Sequence, residues 1–189
     1  MPHVLAVDLH AYTASCTRRT VVLGALGVLV GGCASPSAPP TRAPEPVAEP
    51  VTLAATLVAS AAANPDVRGR ASPLAVRLYE LRSTTSFESA DFFALFERDQ
   101  ATLGADLVAR VEVVLRPGET QEILRKAGAE TRYLGVVAAY RDLERSIWRV
   151  VAPVAAPAIV PRTATASRQQ RVRLTFERAA VRMDVAPVS

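Results

Sequence analysis

The sequence predicts an all-β domain, built as a two-sheet sandwich with a small helical insertion. About seven segments between residues 51 and 176 alternate apolar and polar side chains, the period-2 pattern typical of half-buried strands. Turn residues separate these segments, and only one stretch, within residues 89–104, has helical spacing instead. Many short strands at such intervals favour a sandwich over an α/β fold.

The predicted strands follow one another along the chain. Alternation marks residues 51–60, 74–78, 110–116 and 172–176, and more weakly 121–126. Residues 133–140 form a continuous apolar run, which predicts a central strand that is buried on both faces, and residues 147–154 are expected to form the strand after it. The segment 161–167 is interpreted as a loop.

The helical insertion is rich in phenylalanine. Ser89 is expected to cap the helix and Gly104 to end it. Phe92, Leu95 and Phe96 lie at i, i+3 and i+4 and form one apolar stripe. We therefore expect this helix to pack on one of the sheets.

Residues 1–32 are interpreted as an export signal. An apolar run of eleven residues, Thr20–Val30, follows the pair Arg18-Arg19. It is shorter than the roughly 20 residues that span a bilayer as a helix. The sequence Leu-Val-Gly-Gly-Cys that ends at Cys33 resembles the cleavage box of bacterial lipoproteins, which implies cleavage before Cys33 and a covalent lipid on its sulfur. The alternative is an ordinary secretory signal with an incidental cysteine.

Residues 33–50 are interpreted as a lipidated cysteine followed by a tether, with the sandwich domain at 51–189. Six prolines fall within Pro36–Pro50, which favours an extended polyproline-like spacer. Two or three acyl chains make a stable membrane anchor, because each buried CH₂ contributes about 0.8 kcal/mol. Ala34 stands where an aspartate commonly retains such lipoproteins at the inner membrane, so the outer membrane is expected.

The composition disfavours catalysis. After removal of residues 1–32 the chain would have no histidine and one cysteine, which excludes His/Cys metal sites and Ser-His or Cys-His chemistry. The carboxylates Asp91, Asp99 and Asp106 are interpreted as solvated, and Lys126 as a surface residue. We expect no enzyme activity and no cofactor beyond the lipid on Cys33.

Arginines cluster near the C-terminus. The shortened chain keeps a net charge of only +3, because Arg18, Arg19 and Asp8 are removed. Nucleic-acid binding would call for a recognisable motif or exposed aromatic residues as well. The arginines, which include Arg171 and Arg173, are therefore interpreted as a solvated strand face.

One inter-strand loop stands out as a candidate binding site. It contains two prolines, a glycine and two arginines, and it consists of Asn64, Pro65, Asp66, Val67, Arg68, Gly69, Arg70, Ala71, Ser72 and Pro73. The prolines would limit its flexibility and present Arg68 and Arg70 in fixed directions, and arginine is favoured at interfaces. From the residues alone, an ordinary connecting loop remains the alternative.

Several blocks in order resemble the TssJ family, the outer-membrane lipoproteins of the bacterial type VI secretion system. They are the loop Asn64–Pro73, then Val76–Leu81, Phe87–Leu95, Leu115–Glu119, Leu134–Leu143 and the pair Trp148-Arg149. The resemblance covers about residues 51 to 176. It implies a transthyretin-like β-sandwich with a small helical addition and a role without catalysis.

The resemblance also implies partners that the residues alone do not name. Members bind the periplasmic C-terminal domain of TssM, in a complex that also contains TssL, and the loop between the first two strands is their main contact. Carried over, that loop is Asn64–Pro73. No nucleic acid or small-molecule substrate is expected. The alternative is an unrelated periplasmic lipoprotein that binds a ligand or assists envelope assembly; a deep apolar pocket in the sandwich would favour it.

Overall fold

A computed structural model describes residues 47–49, 51–160 and 168–189 of the chain. Within these ranges the backbone forms ten strands: β1 (Val47–Glu49), β2 (Thr52–Ala59), β3 (Leu74–Leu81), β4 (Leu107–Leu115), β5 (Thr120–Lys126), β6 (Tyr133–Ala138), β7 (Arg149–Pro153), β8 (Ala158–Val160), β9 (Gln169–Phe176) and β10 (Val181–Val185). Three short helices follow β3, namely α1 (Thr85–Ser89), α2 (Phe92–Glu97) and α3 (Asp99–Leu103), and a 3-10 turn at Gly104–Asp106 leads into β4. The expected signal peptide, Cys33, nearly all of the tether and the expected loop 161–167 lie outside the described residues.

The first sheet has the strand order β10-β9-β2-β5. Its central strand β2 pairs in parallel with β9 and antiparallel with β5. Alternate side chains of β2 and β9 are buried between the sheets: Leu53, Ala55, Leu57, Val172, Leu174 and Phe176. The intervening Arg171 and Arg173 are exposed on the outer face, as predicted from the alternation.

The second sheet has the order β4-β3-β6-β7, and all its neighbouring strands are antiparallel. The internal strand β6 is buried on both faces, as its apolar run predicted. Leu134 and Val136 pack in the core between the sheets, whereas Val137 packs beneath the helices. Gly135 also lies under the helices, where an added Cβ would come within 2.8 Å of the Phe87 ring. The close approach of α1 to this sheet therefore requires glycine at that position.

The helical insertion covers the outer face of the second sheet, as expected. A separate apolar cluster joins the two, consisting of Tyr79, Leu81, Phe87, Leu95, Leu103 and Val137. The predicted single helix is instead three short ones. The expected cap at Ser89 is wrong, since Ser89 is the last residue of α1 and Asp91 caps α2 by accepting a hydrogen bond from the Ala94 N–H at 2.8 Å. Arg98, whose φ of −133° is not helical, separates α2 from α3. Gly104 follows the last helical residue with a φ of 51°, in agreement with its expected role as a stop. No helix among the described residues is long and apolar enough to cross a bilayer.

All seven predicted strands are present, and three short strands were not predicted. The strand at 172–176 was expected to close the domain, but β9 is internal and β10 forms the edge beside it. The three-residue strands β1 and β8 pair only with each other. The predicted strand 147–154 is shorter, since β7 begins at Arg149. The two-sheet sandwich with a helical insertion is nevertheless confirmed.

Candidate functional site

The loop 64–73 connects the two sheets at one end of the sandwich. It leaves β2 in the first sheet and enters β3 in the second, so all ten residues singled out in the sequence lie together in one connection. Two hydrogen bonds close its base, since the Ser72 N–H donates to the Ala63 carbonyl at 3.2 Å and the Asn64 N–H donates to the Arg178 carbonyl at 3.2 Å. The loop is thus held at its base to β2 and to the β9–β10 turn.

Asn64 is the main fixed point of the loop. Its side chain is almost fully buried, and its backbone has a φ of 50°, a conformation that asparagine tolerates better than most other non-glycine residues. The amide Nδ2 donates to the Pro73 carbonyl at 2.7 Å, and Oδ1 accepts from the Arg141 N–H at 2.8 Å. One buried side chain therefore joins both ends of the loop to the β6–β7 connection.

Asp66 organises the exposed part of the loop. Its carbonyl accepts from the Gly69 N–H at 2.8 Å, which closes a β-turn, and Gly69 has a φ of 80°. Its Oδ1 accepts from the N–H groups of Arg68 and Arg70, both at 2.9 Å. Three successive backbone N–H groups are bound by this one residue, so the tip has a defined shape.

Arg70 pairs with Asp66 within the loop, while most of its side chain stays exposed to solvent. Its Nε lies 2.9 Å and its Nη2 2.8 Å from the same carboxylate oxygen, Asp66 Oδ2. The hydrogen bond from the Arg70 N–H, aided by the Arg70 side chain and the Arg68 N–H, keeps the pKa of Asp66 below its ordinary value, against a smaller opposing effect of desolvation. Asp66 therefore stays ionised and paired at neutral pH.

The groups that remain free at the tip are Val67 and Arg68. Val67 is fully exposed, with 104% relative accessibility, and Arg68 is also exposed. They are the two central residues of the Asp66–Gly69 turn. The loop therefore presents one apolar side chain and one cation on a frame made by Asn64 and Asp66. Val67 had no predicted role within the loop, although its position at the centre of an Asp-x-x-Gly turn was a usable signal.

The buried charged groups elsewhere hold the fold together. Asp99 was expected to be solvated, but it is buried and pairs with Arg110 and, at 3.8 Å, with Arg77, which ties α3 to β3 and β4. Glu80 was not singled out in the sequence. Its Oε2 accepts from the Thr131 hydroxyl at 2.7 Å and from the Gly128 N–H at 2.8 Å.

Glu80 also forms an ion pair with Arg125 of the first sheet. Its Oε1 lies 2.8 Å from Nε of Arg125, an ion pair whose angle is too poor for a hydrogen bond. Lys126, the next residue along the edge strand β5, is exposed as expected. Every buried carboxylate among the described residues that pairs with an arginine therefore joins elements of the scaffold.

The interior of the sandwich is filled. The cavity between the sheets, beside Leu78 and Ile123, has a volume of only about 20 Å³, which is room for a single water molecule. Ligand pockets for small molecules usually have about 300–1,000 Å³. Among the described residues, no three His, Cys, Asp or Glu side chains are grouped so that they could hold a metal ion.

Comparison with known proteins identifies the family. The family model described as type VI secretion lipoprotein, with the member names VasD, EvfM and TssJ, matches residues 51–178. The solved structure of the type VI lipoprotein TssJ1 from Pseudomonas aeruginosa is 40% identical in sequence, with a TM-score of 0.62, over 73% of this chain and 98% of that one. Among curated protein sequences, none is detectably similar to this chain.

Two further solved structures are similar. A chain from a structure described as a type VI membrane complex is 26% identical, with a TM-score of 0.58, over 74% of this chain and 100% of that one. A chain from a structure described as the C-terminal domain of the type VI protein TssM from EAEC is 25% identical, with a TM-score of 0.52, over 72% and 98%. The family match spans more than half of the sequence, and it covers both sheets, the helical insertion and the loop at 64–73. The chain therefore belongs to the TssJ family of type VI secretion lipoproteins.

Proposed function

We propose that this protein is an outer-membrane lipoprotein, anchored through lipid on Cys33, that acts as a scaffold of the type VI membrane complex. Its loop 64–73 binds the periplasmic C-terminal domain of TssM, in a complex that also contains TssL. The observation that carries the proposal is the rigid loop, which presents Val67 and Arg68 from a sandwich whose interior is filled. The two similar structures described as a membrane complex and as a TssM domain support this choice of partner.

The sandwich is suited to transmit a pulling force between an anchor and a partner. The first strand of the two main sheets is β2, and four residues separate its end from the loop. Its neighbours flank β2 along its whole length, from Thr52 to Ala59 on the β9 side and to Val58 on the β5 side. A force between the anchor and the loop would pass along the covalent backbone of β2, which hydrogen bonds on both sides hold in the sheet over its length. The protein would then act mechanically, without catalysis.

An unrelated ligand-binding lipoprotein fits the geometry less well. A carrier of small apolar molecules would need an interior pocket, whereas the cavity between the sheets is limited to about 20 Å³. The exposed tip of the loop is instead typical of a protein contact. Interfaces concentrate their energy in a few well-placed residues, which here would be Val67 and Arg68.

Titration of the full-length chain in detergent against the periplasmic domain of TssM from the same bacterium tests the proposal. Val67→Asp and Arg68→Ala are each expected to weaken binding at least about tenfold, because truncation of a hot-spot residue costs about 2 kcal/mol or more. Arg70→Ala should also weaken binding, but through loss of the Asp66 pairing and a looser loop.

The exposed Arg171 and Arg173 on the outer face of β9 provide a charge-matched control. Their double replacement by alanine is expected to leave the affinity unchanged. If the loop variants bind with full affinity and the control variant loses affinity, the binding site lies on the outer face of the first sheet instead.

A further inference from the structure

An open cleft lies directly beside the loop. Its volume is about 710 Å³, and three connections form its walls: the loop 64–73, the β6–β7 connection and the β9–β10 turn. Arg141 and Arg145 line it from the β6–β7 connection, and Arg178 lines it from the β9–β10 turn. We refer to this feature, defined by Arg141, Arg145 and Arg178, as the arginine cleft.

The arginine cleft carries an excess of positive charge. All three of its arginines are exposed. The acidic side chains that line it are Asp66 and Asp142. Asp66 is already bound by Arg70, and Asp142 lies 4.0 Å from Arg145 with both groups well exposed, which makes a weak pair. Among the described residues, no side-chain hydrogen bond occupies the guanidinium groups of Arg141 and Arg178.

Asn64 fixes the positions of the cleft walls relative to one another by hydrogen bonds. Its Oδ1 accepts from the backbone N–H of Arg141, and its own N–H donates to the backbone carbonyl of Arg178. The arginine backbones are therefore fixed relative to the loop. Less ordering of the walls is then needed on binding, which lowers the entropic cost of association.

We propose that the arginine cleft is the second half of the partner-binding surface and that it receives an acidic segment of the same protein that binds the loop tip. This inference rests on the proposed function. Carboxylates are the natural partners of guanidinium groups, since each arginine fork can donate two parallel hydrogen bonds to one carboxylate. A partner placed on Val67 would lie next to the cleft, because Val67 belongs to the loop that forms one wall.

The position of the cleft favours a protein over the headgroups of the membrane. The chain enters the first sheet at one end of β2, and the loop and cleft lie at the other end. Eight strand residues separate the two ends, which is about 26 Å at roughly 3.3 Å per residue. A domain anchored through residues before β2 would thus carry the cleft on the side away from its attachment.

Charge reversal of the cleft tests the inference. The double variant Arg141→Glu/Arg145→Glu keeps the backbone N–H of Arg141 that binds Asn64, and both side chains are exposed, so the fold should be retained. With the full-length chain in detergent, we expect its affinity for the TssM periplasmic domain to fall at least tenfold. The wild-type affinity should also decrease more steeply with NaCl concentration than that of the variant. Arg171→Glu/Arg173→Glu is the matched control and should bind like the wild type.

Three outcomes separate the possible explanations. If the wild type does not bind the TssM domain at all, both the proposed function and this inference are wrong. If Val67→Asp loses affinity while the cleft variant keeps it, the loop proposal stands and the cleft inference is overturned. In the Cys33→Ser background, which has no lipid anchor, phosphatidylglycerol vesicles test the other occupant. If the cleft variant keeps its affinity for the TssM domain but loses a co-sedimentation with these vesicles that the Cys33→Ser parent shows, the cleft binds lipid headgroups and the inference is equally overturned.

Discussion

Replacement of Asn64 tests whether one buried amide holds the candidate site together. In Asn64→Ala the Pro73 carbonyl loses its 2.7 Å donor and the Arg141 N–H loses its 2.8 Å acceptor. Each hydrogen bond contributes about 1 kcal/mol net, so the amide accounts for about 2 kcal/mol. Alanine at a φ of 50° adds about 1 kcal/mol of backbone strain. The expected loss in the free energy of unfolding is therefore about 3 kcal/mol.

Asn64→Gly separates the loss of the two hydrogen bonds from the backbone strain. Glycine accepts a positive φ without strain, so this variant should lose mainly the hydrogen bonds and be less destabilised than Asn64→Ala, by up to about 1 kcal/mol. Denaturant unfolding at 25 °C measures both differences, provided that the slope of the transition is unchanged. Hydrogen exchange provides a local readout, because the Arg141 N–H should exchange faster in both variants.

One combination of results would contradict the proposed role of Asn64 in holding the loop. If both variants lose less than about 0.5 kcal/mol and the Arg141 N–H stays as protected as in the wild type, then Asn64 does not couple the loop to the β6–β7 connection. The rigidity on which the proposed function depends would then need another source, such as Asp66. Partner affinity measured on the same variants would show whether loop order matters for binding.

Three other predictions concern the lipid anchor, the core of the sandwich and the ionisation of Asp66. Cys33→Ser should release the protein from the membrane fraction, and a variant that stays with the outer membrane in cells lacking TssM would contradict the lipid anchor. Phe176→Asp should destabilise the domain by more than about 4 kcal/mol, because Phe176 is fully buried. Arg173→Asp would place an aspartate opposite Asp184 on the exposed side of the sheet and should cost less than about 1 kcal/mol. Denaturant unfolding of both variants measures the two losses. Because the folded pKa of Asp66 is lowered from 3.8, its stabilisation of the loop is fully present well above pH 3.8 and is lost only as the pH falls through the lower folded pKa. Partner affinity should therefore change little between about pH 7 and pH 5 on account of this group, and Asp66→Asn, which cannot ionise, should weaken binding at every pH in that range.

Period-2 alternation was sufficient to find most of the main strands because these bury one face, whereas β6, which is buried on both faces, was found from its continuous apolar run. Residues such as Leu53, Ala55 and Leu57 point inward in turn, and their spacing reports this directly. The strand β10 also alternates, at Val181, Met183 and Val185, but a segment of only five residues gives a weak signal. The strands β1 and β8 are only three residues long and depend on each other, so no local pattern could reveal them.

Local sequence patterns could not predict that Glu80 and Asp99 are buried. Glu80 contacts Arg125, Gly128 and Thr131, which lie 45 to 51 positions further along the chain. Asp99 depends on Arg110, which comes into range only when α3 lies on the second sheet. An acidic residue in a polar-looking segment is normally solvated, and only the fold shows that these two are not.

The candidate loop shows the same division between local and long-range information. Its composition marked it as a turn-rich connection, and the resemblance to the TssJ family assigned it a partner. The roles of its individual residues are visible only in the structure. Asn64, Asp66 and Arg70 form the frame, whereas Val67 and Arg68 form the exposed tip. The contact from Asn64 to Arg141 spans 77 positions and links the frame to the arginine cleft. Because neither tip side chain takes part in the hydrogen bonds of the frame, the two tip residues can be changed without disturbing it, so the loop can keep its shape while its partner specificity is altered.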